Sequence, residues 1–581
     1  MRTKRTFLSA LLLILLLTLS ACEEKSQPDL LTEQTAFNQY LDELFRDIAG
    51  SDMLTLNYTI KNPSLYAIEK PAPTLGQYTI EELLSSYQQE AQYLECLSVY
   101  HYDELSKDQQ LIYTMIKQSF ELDLEYAEYS LYDEPLGPTT GIQAQLPILL
   151  AEYHFNCNED IEDYLSLIND VRRYFAQISE YEQLKSKAGL FMSDDVAKEV
   201  IEQCSSFIQQ PEQNFLITYF AEKTNELSFL TATEKADYQK RNQTYVMNSV
   251  IPAYTDLITT LSSLLGTGTN QSGLSEYQYG KSYYEYLVKR ETGSDRSIPE
   301  LAVMLEDALS SALMDMLVYL QVDPSINEKM NSYTYTKTDP EEILPYLKKA
   351  TKKDFPEIPD VHCTIKYVDE SLEDYLSPAM YLIPQLDNYS ENCIYINANE
   401  DYDLSQIFTT MAHEGYPGHL YQCVYFRSQD IHPIRNVMTN LGYEEGWATY
   451  AESYSYSIAG LDPSVAAILK DNMIATHCIY SRADLGIHYE GWDYETTKSF
   501  LSKYISEDSC RIIYETLLEE PGLYLPYSIG YLEIMDLRTI AEKTLGTEFD
   551  LKEFHTFLLD LGPYNFTIIK SEFNEWLKNQ K

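Results

Sequence analysis

The sequence predicts a mainly α chain, a large helical body with one small β-sheet just ahead of its most informative helix. Three observations carry that prediction. Apolar residues recur at helical spacing over most of the length, and a stretch rich in Gly, Thr, Ser and Asn interrupts them at residues 265–280. Between residues 363 and 398 the period shortens to that of strands.

The elements follow in chain order. Arg2, Lys4 and Arg5 precede an apolar run from Phe7 to Leu19 and then Ser20-Ala21-Cys22, the pattern of a secretory signal over residues 1–21 with a small-residue cleavage site. Leu19-Ser20-Ala21-Cys22 is similar to the bacterial lipobox. That likeness implies acylation of the Cys22 thiol, palmitate among the chains, a lipidated tether over residues 22–33, and an extracytoplasmic protein anchored to the cell membrane by lipid alone. The apolar run is too short for a good spanning helix, which needs about 20 residues, and no later stretch supplies one.

Helical spacing is clear in Ile161-Glu-Asp-Tyr-Leu-Ser-Leu-Ile168, where Ile161, Leu165 and Ile168 share a face, and again in Leu301-Ala-Val-Met-Leu-Glu-Asp-Ala-Leu309. The 265–280 stretch reads as a surface loop dividing an N-terminal helical region (34–275) from a second region (276–581). Thr364–Val368, Ala379–Ile383 and Cys393–Asn397 read as three short strands. Cys393–Asn397 is expected to offer an open edge to an extended peptide. Cys363 and Cys393 flank strand-like segments and are a candidate disulfide outside the cytoplasm.

Composition excludes some partners. Ninety Asp plus Glu against 42 Lys plus Arg give a formal charge of −48, which repels nucleic acid and anionic lipid. With 44% hydrophobic residues the chain is folded rather than an acidic disordered one. No Gly-rich phosphate loop or G-x-S-x-G turn is present, so nucleotide and serine-hydrolase chemistry lack support.

The chemistry concentrates after Asp403. Asp403-Leu-Ser-Gln-Ile-Phe-Thr-Thr-Met-Ala-His-Glu414 has an N-cap and an apolar face, so a helix is expected to deliver His413 and Glu414 near its end. In the zinc-peptidase signature H-E-x-x-H, two histidines four apart share a helical face. Here His419 follows His413 by six, and a regular helix would point it about 120° away. Pro417 and Gly418 permit a kink that returns His419 to a shared metal. A third ligand is available from Tyr443-Glu444-Glu445-Gly446-Trp447-Ala448-Thr449-Tyr450-Ala451-Glu452. If that segment is helical, Glu445 and Glu452 share a face and either can reach the site. Two imidazoles and a carboxylate leave one zinc position open for water, whose proton Glu414 can take.

These residues resemble the bacterial family catalogued as domain of unknown function 885, through His413-Glu-Gly-Tyr-Pro-Gly-His419 followed by Glu445-Gly-Trp-Ala-Thr-Tyr-Ala-Glu452. Gly280–Tyr284, Arg482-Ala-Asp-Leu-Gly-Ile-His488 with Gly491-Trp492, and Pro526-Tyr-Ser-Ile-Gly530 through Leu537-Arg538 are similar to its remaining blocks. The resemblance implies a helical fold related to gluzincin-type metallopeptidases, with residues 276–581 as the catalytic region. It implies one zinc ion held by His413, His419 and Glu445, with Glu414 as general base. Many members carry a second His directly after the one matching His419, where this chain has Leu420. Tyr527, by likeness to related peptidases, and His488 are candidates for stabilising the oxyanion. The alternatives are a packed core tyrosine and a helical His bonded to a carbonyl. Arg482 and Arg538 are candidates for binding a substrate carboxylate, with structural ion pairs as the alternative.

The expected function is zinc-dependent hydrolysis of short peptides outside the cytoplasm. The rivals are a non-catalytic lipoprotein binding peptides or wall fragments and a metal-dependent peptidoglycan amidase.

Overall fold

The computed structural model describes residues 30–580 apart from 269, 271, 369–372, 374, 375 and 401. The signal, Cys22 and most of the tether lie outside the described residues. Among the described residues no helix is long and apolar enough to cross a membrane.

Helix α1 (Leu30–Ala49) begins inside the segment expected to be tether. Its first turn is fixed by Glu33, which is 4% exposed and accepts the His101 amide at 2.8 Å. Phe37, Leu41, Leu44 and Phe45 then form one buried stripe. In α2 (Asn158–Ala188), Ile161, Leu165 and Ile168 are buried as their spacing predicts. Gly189 ends that helix in the left-handed region at φ 74°, its amide bonded back to Lys185 and Ser186. Helix α3 (Ile298–Val322) starts on a Ser297/Glu300 capping box and buries Leu301, Leu305 and Leu309. Each such side chain contributes about 1.5–3 kcal/mol of burial.

Among the described residues two large apolar cores result, with two small satellite clusters. One draws on residues 136–261 with Met53 and Leu75, and the other unites α1 and further residues up to Tyr132 with residues 274–573. Packing therefore does not follow a division of the chain at residue 275, because much of the N-terminal segment completes the core of the C-terminal half. The site is carried by that larger core, on α4 (Phe408–Glu414), α5 (His419–Arg427), α6 (Leu441–Ser455), α7 (Pro463–Leu485) and α8 (Leu525–Leu545).

All three expected strands form: β1 (His362–Tyr367), β2 (Ala379–Leu382) and β3 (Glu391–Ile396). Their order is β1-β3-β2, with β3 parallel to β1 and antiparallel to β2. The expectation of an open edge on Cys393–Asn397 is corrected: β3 is central and hydrogen-bonded on both sides, and β2 is the edge beside α4. Cys363 and Cys393 are free thiols. Cys363 pairs with Asn392 and Cys393 with Thr364, so the one-residue offset points the two thiols to opposite faces of the sheet.

Candidate metal centre

The six-residue spacing is resolved by two helices instead of one. α4 ends on His413-Glu414, and α5 starts anew on His419. Upstream, Asp403 does cap a helical turn, a 3₁₀ turn at Leu404–Gln406 that precedes α4. Between the helices the chain doubles back: Gly418 N donates to Ala412 O at 3.0 Å and Tyr421 N to Gly415 O at 3.1 Å. Pro417, joined to Tyr416 by a cis peptide, offers its carbonyl to Trp447 Nε1 at 2.8 Å, which ties this turn to α6. A Cβ on Gly418 would lie 1.8 Å from the His413 carbonyl oxygen, so only glycine fits.

α6 is capped by Asn440, whose side chain accepts from Tyr443 N, and it presents Glu445 and Glu452 on one face. The two carboxylates serve different atoms. Glu445 Oε2 lies 3.4 Å from Nε2 of both His413 and His419, while Glu452 Oε2 lies 3.5 Å from His413 Nδ1. The imidazole centroids are 4.8 Å apart at 78°. One ligand atom from each of His413, His419 and Glu445 falls within 4.8 Å of the others. Glu445 Oε2 is buried and has no hydrogen-bond partner. A buried carboxylate oxygen facing two imidazole nitrogens without a bond to either is a donor set that a divalent cation would satisfy.

The electrostatics agree. Burial works to raise Glu445, yet His419 and His413 hold its carboxyl well below the usual range. Burial works to lower His413, but the Glu445 and Glu452 carboxylates beside it lift it well above the ordinary imidazole value. Glu414 is pushed up by burial, against the pull of His413 and His419, and its Oε2 accepts the Tyr381 amide of β2 at 2.8 Å.

Tyr527 reaches this cluster because α8 and α6 touch backbone to backbone. A Cβ on Gly446 would lie 2.4 Å from the Gly530 carbonyl carbon, and one on Gly530 would lie 1.9 Å from Gly442 O. The Tyr527 ring is 6.1 Å from that of His413, near parallel at 21°, and burial and then the Glu445 charge push its hydroxyl up. On its other side lies His477 of α7, centroids 6.1 Å apart at 17°. His477 also feels the charges of Glu452 and His413, and burial pushes it down. The sequence reading missed His477, since no spacing links a lone histidine in an apolar helix to the motif.

Three candidates lie elsewhere and are corrected. His488 is fully buried in the turn after α7, Nδ1 accepting from Leu274 N at 3.1 Å and Nε2 bonded to Leu517 O at 2.7 Å. Burial pushes it down to about 4, and with both nitrogens committed to backbone it is a structural residue. Arg482 pairs with Glu306 and Glu490 at 2.6 and 3.1 Å and stacks on Trp492. Arg538 binds Glu542 and the Tyr450 hydroxyl, each at 2.8 Å. Both arginines are held by partners within the fold, although Arg482 Nη1 is buried without one.

Fold and site thus define a mainly helical protein with a small three-stranded sheet and a buried His-His-Glu cluster beside a second glutamate. The chain belongs to the bacterial protein family of unknown function DUF885, whose family model matches residues 68–572. Solved structures share its fold, two of them described as lipoproteins. A predicted lipoprotein from Colwellia psychrerythraea superposes with a TM-score of 0.82 at 18% identity, over 94% of this chain and 99% of that one. A predicted lipoprotein of unknown function from Shewanella oneidensis does so with a TM-score of 0.65 at 14% identity, over 94% of this chain and 100% of that one. No curated protein matches the chain.

Proposed function

We propose that this protein is a zinc-dependent, gluzincin-like peptidase of short peptides, exported and held at the membrane by lipid on Cys22. The observation that carries the reading is the unsatisfied Glu445 oxygen facing two imidazole nitrogens, with Glu414 next in sequence to one of them. Export and lipidation are supported by the signal and the lipobox-like Cys22. The description of both solved relatives as predicted lipoproteins supports them too.

His413, His419 and Glu445 would hold the ion, zinc being favoured by two imidazoles and one carboxylate. A zinc ion bound there supplies Lewis acidity, making a water acidic and polarising the scissile carbonyl. The chain's own groups do the rest. Glu414, raised by burial and oriented by the Tyr381 amide, takes a proton from the attacking water and returns it to the leaving amine. Glu452, 3.5 Å from His413 Nδ1, would engage that nitrogen and leave Nε2 as the ligand atom. The Tyr527 hydroxyl, bordering the same space, donates to the developing oxyanion.

Removing metal with a chelator should abolish cleavage of an oligopeptide mixture, and zinc should restore it. Glu414→Gln should lower kcat by about 10²–10⁴-fold while metal content is kept. Activity unchanged by either treatment would defeat the proposal, and cleavage of muropeptides but not of linear peptides would make the protein an amidase. Tyr527→Phe is expected to lower kcat by about 10²–10³-fold with little change in KM, because the lost hydrogen bond strengthens only in the transition state. A pure KM effect would instead assign Tyr527 to ground-state binding.

A further inference from the structure

A groove of about 1000 Å³ lies at the segment that follows α5, bordered by α1, the 3₁₀ turn Pro433–Asn436 and the C-terminal helices. Arg435 lines it and is only 6% exposed. Its guanidinium is clamped between Tyr564 and Phe426, 3.4 and 5.1 Å from the ring centroids. One nitrogen, Nη2, donates to Leu561 O at 2.8 Å, and Nε is buried without a partner. Among the described residues no carboxylate forms an ion pair with Arg435, although the chain holds 90 acids against 42 bases. Burial pushes it down to about 10, against the pull of Tyr564, Tyr443 and the more distant Asp108. A desolvated guanidinium fork with no carboxylate in direct contact is costly unless an anion completes it, and its planar geometry suits a carboxylate.

Apart from Arg435 and His432, the charged side chains that line the groove are acidic. Asp108 and Asp430 line it and form no ion pair among the described residues, and Asp560 lines it too. A simple anion would be repelled by those groups, whereas a molecule with a carboxylate at one end and an ammonium at the other would meet both charges. The groove is large enough for several residues. We propose that it binds a short zwitterionic peptide, with the C-terminal carboxylate on Arg435 and the N-terminal ammonium toward Asp108 and Asp430. The site is separate from the metal cluster and does not rest on the peptidase reading.

Trp576 lines the groove and gives a direct signal. In the full-length Glu414→Gln protein, which would leave the probe uncut, tri-alanine is titrated against tryptophan emission, with Trp576→Phe marking the part that comes from the groove. Tri-alanine should shift the Trp576 signal, and tri-alanine amide and N-acetyl-tri-alanine should each bind at least tenfold more weakly. Arg435→Met should lose the response, and Arg435→Lys should keep part of it. Because the blocked peptides test the charge requirement in an unaltered groove, a misfolded Arg435 variant does not decide the matter. Equal binding of either blocked peptide, no binding of the free one, or equally tight competition by inorganic phosphate overturns the proposal.

Discussion

Glu445→Gln is expected to weaken zinc binding by more than about 100-fold and to abolish peptide hydrolysis. Replacing an outer partner of a metal ligand usually costs 10–100-fold, so removing a direct donor should exceed that range. Oε2 of Glu445 faces both imidazole nitrogens, and an amide there removes the negative charge and risks turning an NH₂ toward the cation. Glu452→Gln should stay within the 10–100-fold range, since Glu452 meets only Nδ1 of His413. Competitive titration against a chromophoric chelator measures both, and a Glu445→Gln protein that retains stoichiometric zinc after dialysis would remove Glu445 from the ligand set. The pH dependence supplies a second readout. In the metal-free cluster His413 and His419 are raised above the ordinary imidazole value, against burial, mainly by Glu445. Protons held there compete with the ion, so wild-type affinity should be full at alkaline pH and begin to fall at a pH above the ordinary imidazole range. Without the Glu445 charge that fall should move to lower pH.

The members of the cluster were legible because each is a local property: His413, Glu414 and His419 lie in one heptapeptide, and Glu445 lies in a segment whose helicity is plain. The choice between Glu445 and Glu452 was not. Seven residues put both on one helical face, and only the docking of α6 against the turn at Pro417, through the Trp447 indole, assigns one to Nε2 and the other to Nδ1. Strand positions were readable from alternation, but strand order was not. A parallel β1–β3 pair separated by β2 in sequence makes β3 central, and no local pattern encodes that crossover. His488 and Arg482 failed as site residues for a related reason. Both lie in a block resembling the family, yet the helix that brings His477 toward Tyr527 carries Arg482 and, past its end, His488 into contacts with Leu274, Leu517, Glu306 and Glu490.

The turn between the two histidines is where sequence, backbone and chemistry depend on one residue. Gly418→Ala is expected to destabilise the protein by about 3 kcal/mol or more and to lose zinc binding with it. The added Cβ would meet His413 O at 1.8 Å and Ala412 O at 2.5 Å, and both are backbone atoms of the helix that presents His413. No rotamer change can relieve that contact. Either α4 unwinds at its last turn or α5 starts elsewhere, and in both cases His413 and His419 separate. Gly76→Ala is the matched control. Gly76 sits at φ 70° with nothing within 4 Å of a new Cβ, so only backbone preference is lost, about 1 kcal/mol, and the metal site is untouched. Thermal unfolding and zinc titration on the two variants separate the effects. A Gly418→Ala protein with wild-type stability and full zinc affinity would mean that the turn does not set the distance between the histidines, and the proposed centre would lose its structural basis.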